Sequence, residues 1–166
     1  ETPGFFEFSQ TNTFEAEEGG ILTVLVSRSR GTVGTASVHF STADGSALAG
    51  SDYTAVSGTL TFEDGEYSKS FTIPIVNDLL MEPTKTLRVT LDTTTGGAAL
   101  SLHSTATVVI KDDDTGGALS FSSPMYSVTE ADTTNAVVVR RSGGGATNVS
   151  VDLVITGGTA TKGDDY

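Results

Sequence analysis

The stretch GSALAGSDY, residues 45–53, returns near the other end of the chain as GTATKGDDY, residues 158–166. Two glycines, an alanine, an aspartate and a tyrosine are identical in the two copies, at a constant offset of 113, since 158 − 45 = 113. A repeat of this length has the size of a whole domain. The 166 residues are therefore predicted to contain one complete module and the first part of a second.

Short segments in which apolar and polar residues alternate surround the first copy of this motif. In one of them Phe71, Ile73 and Ile75 alternate with Thr72 and Pro74. Alternation with a period of two indicates strands with one buried face, and the glycine-rich stretches between them indicate turns. The predicted strands are Phe14–Glu18, Ile21–Arg28, Thr35–Thr42, Thr59–Phe62, Tyr67–Val76, Lys85–Leu91 and Thr105–Lys111. About seven strands in ~110 residues predict an all-β, antiparallel, immunoglobulin-like sandwich.

The domain boundary is predicted to follow Asp114. Residues 1–114 would form the complete module, residues 115–117 a linker, and residues 118–166 the N-terminal part of the second copy. Strands of this copy are expected at residues 118–122, 136–141 and 149–155. Half a sandwich exposes an apolar face and unpaired strand edges. We therefore expect the second copy to be disordered or to be completed by pairing with another chain.

The composition excludes several classes of function. The net charge is −12, which disfavours nucleic acid and direct membrane insertion, because both present or adjoin anionic groups. The chain has no cysteine and no apolar segment of the length that spans a bilayer. No serine or histidine lies in a recognisable nucleophile motif. The sequence therefore predicts a protein without enzymatic activity.

The acidic residues concentrate at strand ends and in loops. The run Asp112-Asp113-Asp114 follows the last predicted strand of the first module, and strand ends of a sandwich gather at two poles. Converging carboxylates from several loops are the oxygen ligands that Ca²⁺ prefers, with Mg²⁺ as second choice. A solvated negative linker is the alternative interpretation of the triplet.

Five motifs together resemble the Calx-β domain family. They are Phe14–Glu18, Asp44–Tyr53, Gly58–Phe62, Ile75–Asp78 and Val108–Asp114. The resemblance implies a seven-stranded sandwich with Ca²⁺ bound at one pole, as in the regulatory domains of sodium–calcium exchangers. Such domains also occur in tandem in large bacterial surface proteins.

The resemblance also implies a set of metal ligands at that pole, matched position by position. These are Glu18, Asp52, Asp78, Glu82, Asp112, Asp113 and Asp114. The chain departs from the strongest Ca²⁺-binding pattern, because Asn77 and Leu79 replace two aspartates of the exchanger-type segment and Lys85 replaces a further acid. Fewer carboxylates lower the affinity for a dication. We expect one or two sites of weak to moderate affinity.

The sequence as a whole predicts a Ca²⁺-binding repeat of a larger bacterial surface or adhesion protein, in which Ca²⁺ stiffens the module and its junction with the next. Its expected partners are Ca²⁺, neighbouring repeats and a protein bound in adhesion. Three alternatives stay open. They are a structural or adhesive spacer without a functional metal site, an accessory module of a secreted hydrolase, and a cytosolic regulatory domain of a cation exchanger.

Overall fold

The computed structural model describes residues 2–9, 12–16, 20–129, 131, 134–161 and 163, with the backbone alone for residues 12–16. Its internal contacts divide the chain into two units, Glu1–Asp114 and Thr115–Tyr166. The described residues form β-strands and turns and contain no helix. In particular, they include no helix with the length and apolar character that crossing a bilayer requires.

The described residues of the first unit form nine strands in two sheets. They are β1 (Phe5–Phe8), β2 (Asn12–Ala16), β3 (Ile21–Ser29), β4 (Ala36–Asp44), β5 (Ser57–Phe62), β6 (Ser68–Pro74), β7 (Lys85–Thr94), β8 (Ala99–Leu100) and β9 (Thr105–Lys111). One sheet has the order β6-β3-β1-β8 and the other the order β2-β9-β7-β4-β5. The two sheets confirm the predicted all-β sandwich.

Two strands and two pairings were not predicted. The N-terminal segment contributes β1 to one sheet and β2 to the other, although only the second was expected. In β1, Phe6 and Phe8 are buried while Phe5 and Glu7 face outward, which is the usual alternation of a half-buried strand. The pairs β1·β8 and β2·β9 are parallel, whereas the other pairs of the first unit are antiparallel.

The core lies between the sheets and is built from the inward residues of each strand. The ring centroids of Phe6 and Phe62 are 5.0 Å apart, and the rings of Phe40 and Phe71 stack at 3.8 Å. Each pair joins one sheet to the other, because β1 and β6 lie in the first sheet and β4 and β5 in the second. Aromatic contacts of this kind add to the burial of apolar area and hold the two layers in register.

Arg28, at the end of β3, is a buried charge, with 2% of its surface exposed. Its guanidinium donates hydrogen bonds to the carbonyls of Pro3 at 2.7 Å, Val33 at 2.8 Å and Glu63 at 3.4 Å. Because a buried guanidinium is tolerated only when its donors are satisfied, these carbonyls fix the course of three separate segments. We call this arrangement the arginine clasp.

The second unit repeats the arginine clasp at the offset of 113. Arg141 donates through Nε to the carbonyl of Gly116 at 2.8 Å and through its other nitrogens to the carbonyls of Ala146 and Thr147. The strands β10 (Ala118–Phe121) and β11 (Val139–Ser142) pair in the same register as β1 and β3. Residues 115–117, expected to be a linker, form hydrogen bonds within this unit, as Thr115 donates to Gly143 at 2.6 Å.

Most large apolar residues in the described part of the second unit are exposed, as the sequence predicts for part of a sandwich. Leu119, Phe121 and Leu153 are 38%, 57% and 58% exposed, although they correspond to Phe6, Phe8 and Phe40 of the first core. Residues 149–155, expected to be a strand, form none. The described part of the second unit contains no strand equivalent to β5 or β7, which are the partners of β4 in the first unit.

We predict that Arg28→Met lowers the free energy of unfolding of the first unit by about 3 kcal/mol. The substitution keeps an apolar stem but leaves three carbonyls without their donors. Denaturant unfolding of the full chain measures the change, with the exposed Arg88→Met as control. That control is expected to stay within about 0.5 kcal/mol of the parent. Equal stability of both variants would contradict a structural role for the clasp.

Candidate metal centre

Three loops of the first unit meet at the pole where β3 begins. The amide of Val76 donates to the carbonyl of Asp52 at 3.0 Å, which joins the loop after β4 to the segment after β6. The amide of Glu82 donates to the Asp112 carboxylate at 2.9 Å, which joins the loop before β7 to the end of β9. Six of the seven predicted ligands therefore lie in segments that meet here. The seventh, Glu18, lies outside the described residues.

The repeated motif builds the loop that carries Asp52. Tyr53 is buried, and its hydroxyl donates a hydrogen bond to Oδ1 of Asp44 at 2.7 Å. The same Oδ1 atom of Asp44 accepts a hydrogen bond from the Ala49 amide at 2.9 Å. Burial and the hydrogen bond to Asp44 raise the pKa of Tyr53 to about 12. At Gly45 a Cβ atom would lie 2.4 Å from the Thr86 carbonyl oxygen, so only glycine fits there. These residues position the loop.

Asp52 is held from both of its carboxylate oxygens. The amide of Leu48 donates to Oδ2 at 2.6 Å, and Nζ of Lys85 donates to Oδ1 at 2.6 Å. The side chain is 5% exposed. Burial alone would raise the pKa of Asp52, but the hydrogen bonds from Lys85 and Leu48 outweigh it and lower the pKa below its usual value.

Lys85 forms a second ion pair with Glu82, so its ammonium lies between two of the predicted ligands. Its hydrogen bonds to Asp52 and Glu82 raise the pKa of Lys85 above its ordinary value, despite the opposing effect of burial. One fixed positive charge therefore neutralises part of the charge on two carboxylates at the pole. We call this arrangement the lysine bridge.

Asp78, Asp112, Asp113 and Asp114 form no ion pair with a residue in the described part of the chain. The Asp78 carboxylate accepts the Leu80 amide at 2.6 Å, and Asp112 accepts the Asp114 amide at 3.2 Å. Oδ2 of Asp114 is buried and has no hydrogen-bond partner among the described residues. Burial and repulsion from Asp112, Asp113 and Asp78 raise the pKa of Asp114. Asp114 therefore lies close enough to three other carboxylates for their negative charge to oppose its ionisation.

The donor set fits a hard divalent cation, but the ligands are not yet arranged around one. All the candidate groups are carboxylates, and the unpartnered Oδ2 of Asp114 is an oxygen that a cation would satisfy. Among the described residues, however, no three acidic or histidine side chains converge on a common point as a metal site requires. We call Asp78, Asp112, Asp113 and Asp114 the outer carboxylates. A cation that binds Asp52 or Glu82 in addition to them must displace Lys85 from these two side chains.

Sequence reasoning identified Lys85 only as a lost acid and did not predict the lysine bridge. A local signal exists, because Glu82 and Lys85 are three residues apart. The contact between Lys85 and Asp52 joins residues 33 positions apart and depends on the fold, so no local sequence pattern predicts it. Arg28 was missed for the same reason, since its carbonyl partners come from three separate segments.

We predict that Lys85→Met lowers the free energy of unfolding by about 3 kcal/mol in metal-free buffer at neutral pH. The substitution leaves the buried Asp52 carboxylate without its counter-charge. Lys69→Met is the matched control, because Lys69 forms an ion pair of the same spacing with Glu66 on the surface, at 2.9 Å. Exposed pairs contribute about 1 kcal/mol or less. Denaturant unfolding compares the two, and losses of equal size would contradict the bridge.

We predict opposite pH dependences for Asp52→Asn and Asp114→Asn. The lowered pKa of Asp52 contributes stability above the ordinary value of about 3.9, and this contribution is lost as the pH falls through the folded-state value. Asp52→Asn is therefore destabilising at pH 7, and its cost shrinks in acid. The raised pKa of Asp114 means that its ionisation opposes folding, so Asp114→Asn is stabilising at pH 7 and neutral in acid. Urea unfolding between pH 7 and pH 3 measures both, and effects of the same sign at pH 7 would contradict the assignment.

Comparisons with known proteins identify the family. A family model of the Calx-beta domain matches residues 1–114 and, separately, residues 112–166. Sodium/calcium exchanger 1 of Bos taurus is 32% identical over 177 residues, with 95% of this chain covered. Sodium/calcium exchanger Calx of Drosophila melanogaster is 33% identical over 138 residues, with 82% covered. The matched regions are 18% and 14% of the length of these two relatives.

Solved structures agree with this result. The apo-form Calx CBD1 domain superposes with a TM-score of 0.64 at 31% identity, covering 66% of this chain and 96% of that domain. The calcium binding domain CBD12 of CALX1.1 superposes with a TM-score of 0.66 at 29% identity, covering 85% of this chain and 59% of that structure. The family match, the relatives and the shared sandwich show that this chain belongs to the Calx-beta domain family.

Proposed function

We propose that the chain is a non-enzymatic Ca²⁺-binding module that regulates a longer protein. The observation that carries the proposal is the buried, unpartnered Oδ2 of Asp114, which lies among carboxylates that repel one another. A divalent cation would satisfy this oxygen and offset the repulsion. The related CBD12 structure of CALX1.1 is a calcium binding domain, which supports the same ion here.

The proposed primary ligands are Asp78, Asp112, Asp113 and Asp114. The loop that carries Asp78 and the segment that carries the other three are in contact, because the Glu82 amide donates a hydrogen bond to the Asp112 carboxylate at 2.9 Å. Asp52, Glu82 and Glu18 are proposed as further ligands, of which the first two are held by Lys85 in the metal-free protein. Because Ca²⁺ takes six to eight oxygens, an ion on the outer carboxylates alone completes its shell with water. The affinity is therefore modest.

The lysine bridge favours a second candidate function, a structural repeat that holds its pole together without metal. An ammonium fixed between Asp52 and Glu82 offsets charge as a cation would, at distances of hydrogen-bond length. The two functions differ in one measurable respect. A structural repeat shows no Ca²⁺-dependent change in stability, whereas a regulatory module does.

The setting we propose is a regulatory segment within a longer cation-transport protein, which is the alternative that the exchanger relatives favour. The cytosolic location follows from that proposal. No comparison supports the bacterial surface or adhesive role that the sequence first suggested. We retain the proposed organisation of a complete module at residues 1–114, followed by part of a second copy at residues 118–166.

We predict that the full chain binds Ca²⁺ with a Kd of about 10⁻⁵ to 10⁻³ M and gains thermal stability on binding. Calorimetric titration after removal of trace metal measures the affinity, with Mg²⁺ as a comparison ion that binds more weakly. The double variant Asp113→Asn/Asp114→Asn loses at least about tenfold in affinity, because two charges leave the outer ligand set. The proposal is contradicted if about 10 mM Ca²⁺ gives no heat of binding and no change in the melting temperature.

Two further variants serve as controls for this titration. Asp152→Asn removes one exposed carboxylate of the second unit and leaves the affinity unchanged. Lys85→Gln frees Asp52 and Glu82, so it raises the affinity for Ca²⁺ if the lysine and the ion compete. If Lys85→Gln binds Ca²⁺ and the parent chain does not, the lysine bridge takes the place of the ion in the parent. The parent chain is then a structural repeat.

A further inference from the structure

A cavity of about 310 Å³ opens on the first unit, away from the acidic pole. Its walls come from the outer face of β1, the residue after β3 and the segment that follows β8. They contain Phe5, Glu7, Arg30, Leu100, Ser101, Leu102 and His103. Arg30 follows the end of β3 and the acidic pole adjoins its start, so the cavity and the pole are separated by the length of this nine-residue strand, roughly 27 Å.

Arg30 has a backbone conformation that favours glycine. Its φ is +58°, in the left-handed region, and the carbonyl of Arg30 is held there by the Thr2 hydroxyl at 2.6 Å. The equivalent residue of the second unit, 113 positions later, is Gly143, with φ of +77°. The fold therefore requires this conformation in both units, yet the first unit places an arginine in it. Retaining a strained residue where glycine fits points to a use for the side chain.

The guanidinium of Arg30 is presented to the cavity without a carboxylate partner. It lies over the ring of Phe5, 5.7 Å from the centroid, and forms no ion pair within the described part of the chain. The second unit has Ala118 at the position of Phe5. Both the cation and the aromatic platform that orients it are thus features of the first unit alone.

Glu7 provides an oriented negative charge in the same cavity. Its Oε2 accepts the Ser101 hydroxyl at 3.0 Å, and the Ser101 oxygen in turn accepts the His103 amide at 3.0 Å. Nδ1 of His103 is 3.9 Å from Oε2. The equivalent of Glu7 in the second unit is Ser120, which carries no charge.

The two opposite charges line one cavity but do not neutralise each other. Phe5, whose ring lies under the guanidinium of Arg30, and Glu7 are two residues apart on the same face of β1, so both charges line the same cavity. An α-amino acid carries its carboxylate and its ammonium on one carbon atom, so it can pair with a cation and an anion that line the same cavity. Leu100 and Leu102, which are 36% and 101% exposed, provide apolar contact beside them.

We propose that this cavity binds a free α-amino acid with an apolar side chain. The carboxylate pairs with Arg30, the ammonium with Glu7, and the side chain packs against Leu100, Leu102 and Phe5. The inference does not depend on Ca²⁺ binding, because the two sites share no residue.

The test is titration of the full chain with L-leucine, followed by NMR chemical shifts of residues lining the cavity. Saturable binding with a Kd of about 1 mM or tighter is expected. Arg30→Gly and Glu7→Ser each install the residue of the second unit, and each weakens binding at least about tenfold. Arg30→Gly does not lower the melting temperature, since glycine relieves the backbone strain, so lost binding cannot be attributed to unfolding.

Three ligand analogues separate the contributions. Leucinamide lacks the carboxylate, N-acetyl-leucine lacks the ammonium, and glycine lacks the side chain. Each is expected to bind at least about tenfold more weakly than leucine. No saturable shift with leucine at about 10 mM would overturn the proposal, as would binding of N-acetyl-leucine as tight as that of leucine. Undiminished binding by Arg30→Gly would overturn it as well.

Discussion

The ammonium of Lys85 between Asp52 and Glu82 is the interaction on which the acidic pole depends. A carboxylate as buried as that of Asp52 is stable in ionised form only if a positive charge and hydrogen bonds replace its water. Lys85 supplies the charge, and the Leu48 amide supplies a further hydrogen bond at 2.6 Å. The bridge also connects the loop after β4 to the first residue of β7, so it holds together segments distant in sequence. The charge balance of the pole is therefore part of the fold.

Much of the fold was predictable because alternation is a local property. Phe71, Ile73 and Ile75 alternate with polar or edge residues, and each of the three is buried as the pattern predicts. Strand β1 was not predicted, because the alternation that buries Phe6 and Phe8 extends over only four residues. The two-residue strand β8 was not predicted either, because it is too short to show any period. Short segments whose partners lie far along the chain can be identified only once the sheets are assembled.

The candidate site was less accessible to sequence reasoning than the fold. Proximity of Glu82 and Asp112 was predicted from strand ends sharing a pole, and the hydrogen bond between them at 2.9 Å shows that their loops meet. What each carboxylate contacts could not be predicted, because contact depends on side-chain direction and on which cation is present. The division into carboxylates paired with Lys85 and carboxylates that repel one another emerges only from the three-dimensional arrangement.

The arginine clasp has a consequence for the order in which such modules assemble. In the second unit, Arg141 forms its bonds with Gly116, Ala146 and Thr147, none of which belongs to a later strand. The clasp of the second unit therefore needs only about thirty consecutive residues, whereas the β7·β9 and β4·β7 ladders of the first unit need chain from distant positions. Contacts of low sequence separation form early, because little loop-closure entropy is lost. During synthesis from the N-terminus, the equivalent bonds from Arg28 to Pro3 and Val33 can fix β1 against β3 before the later strands are made, and so limit mispairing between similar neighbouring repeats.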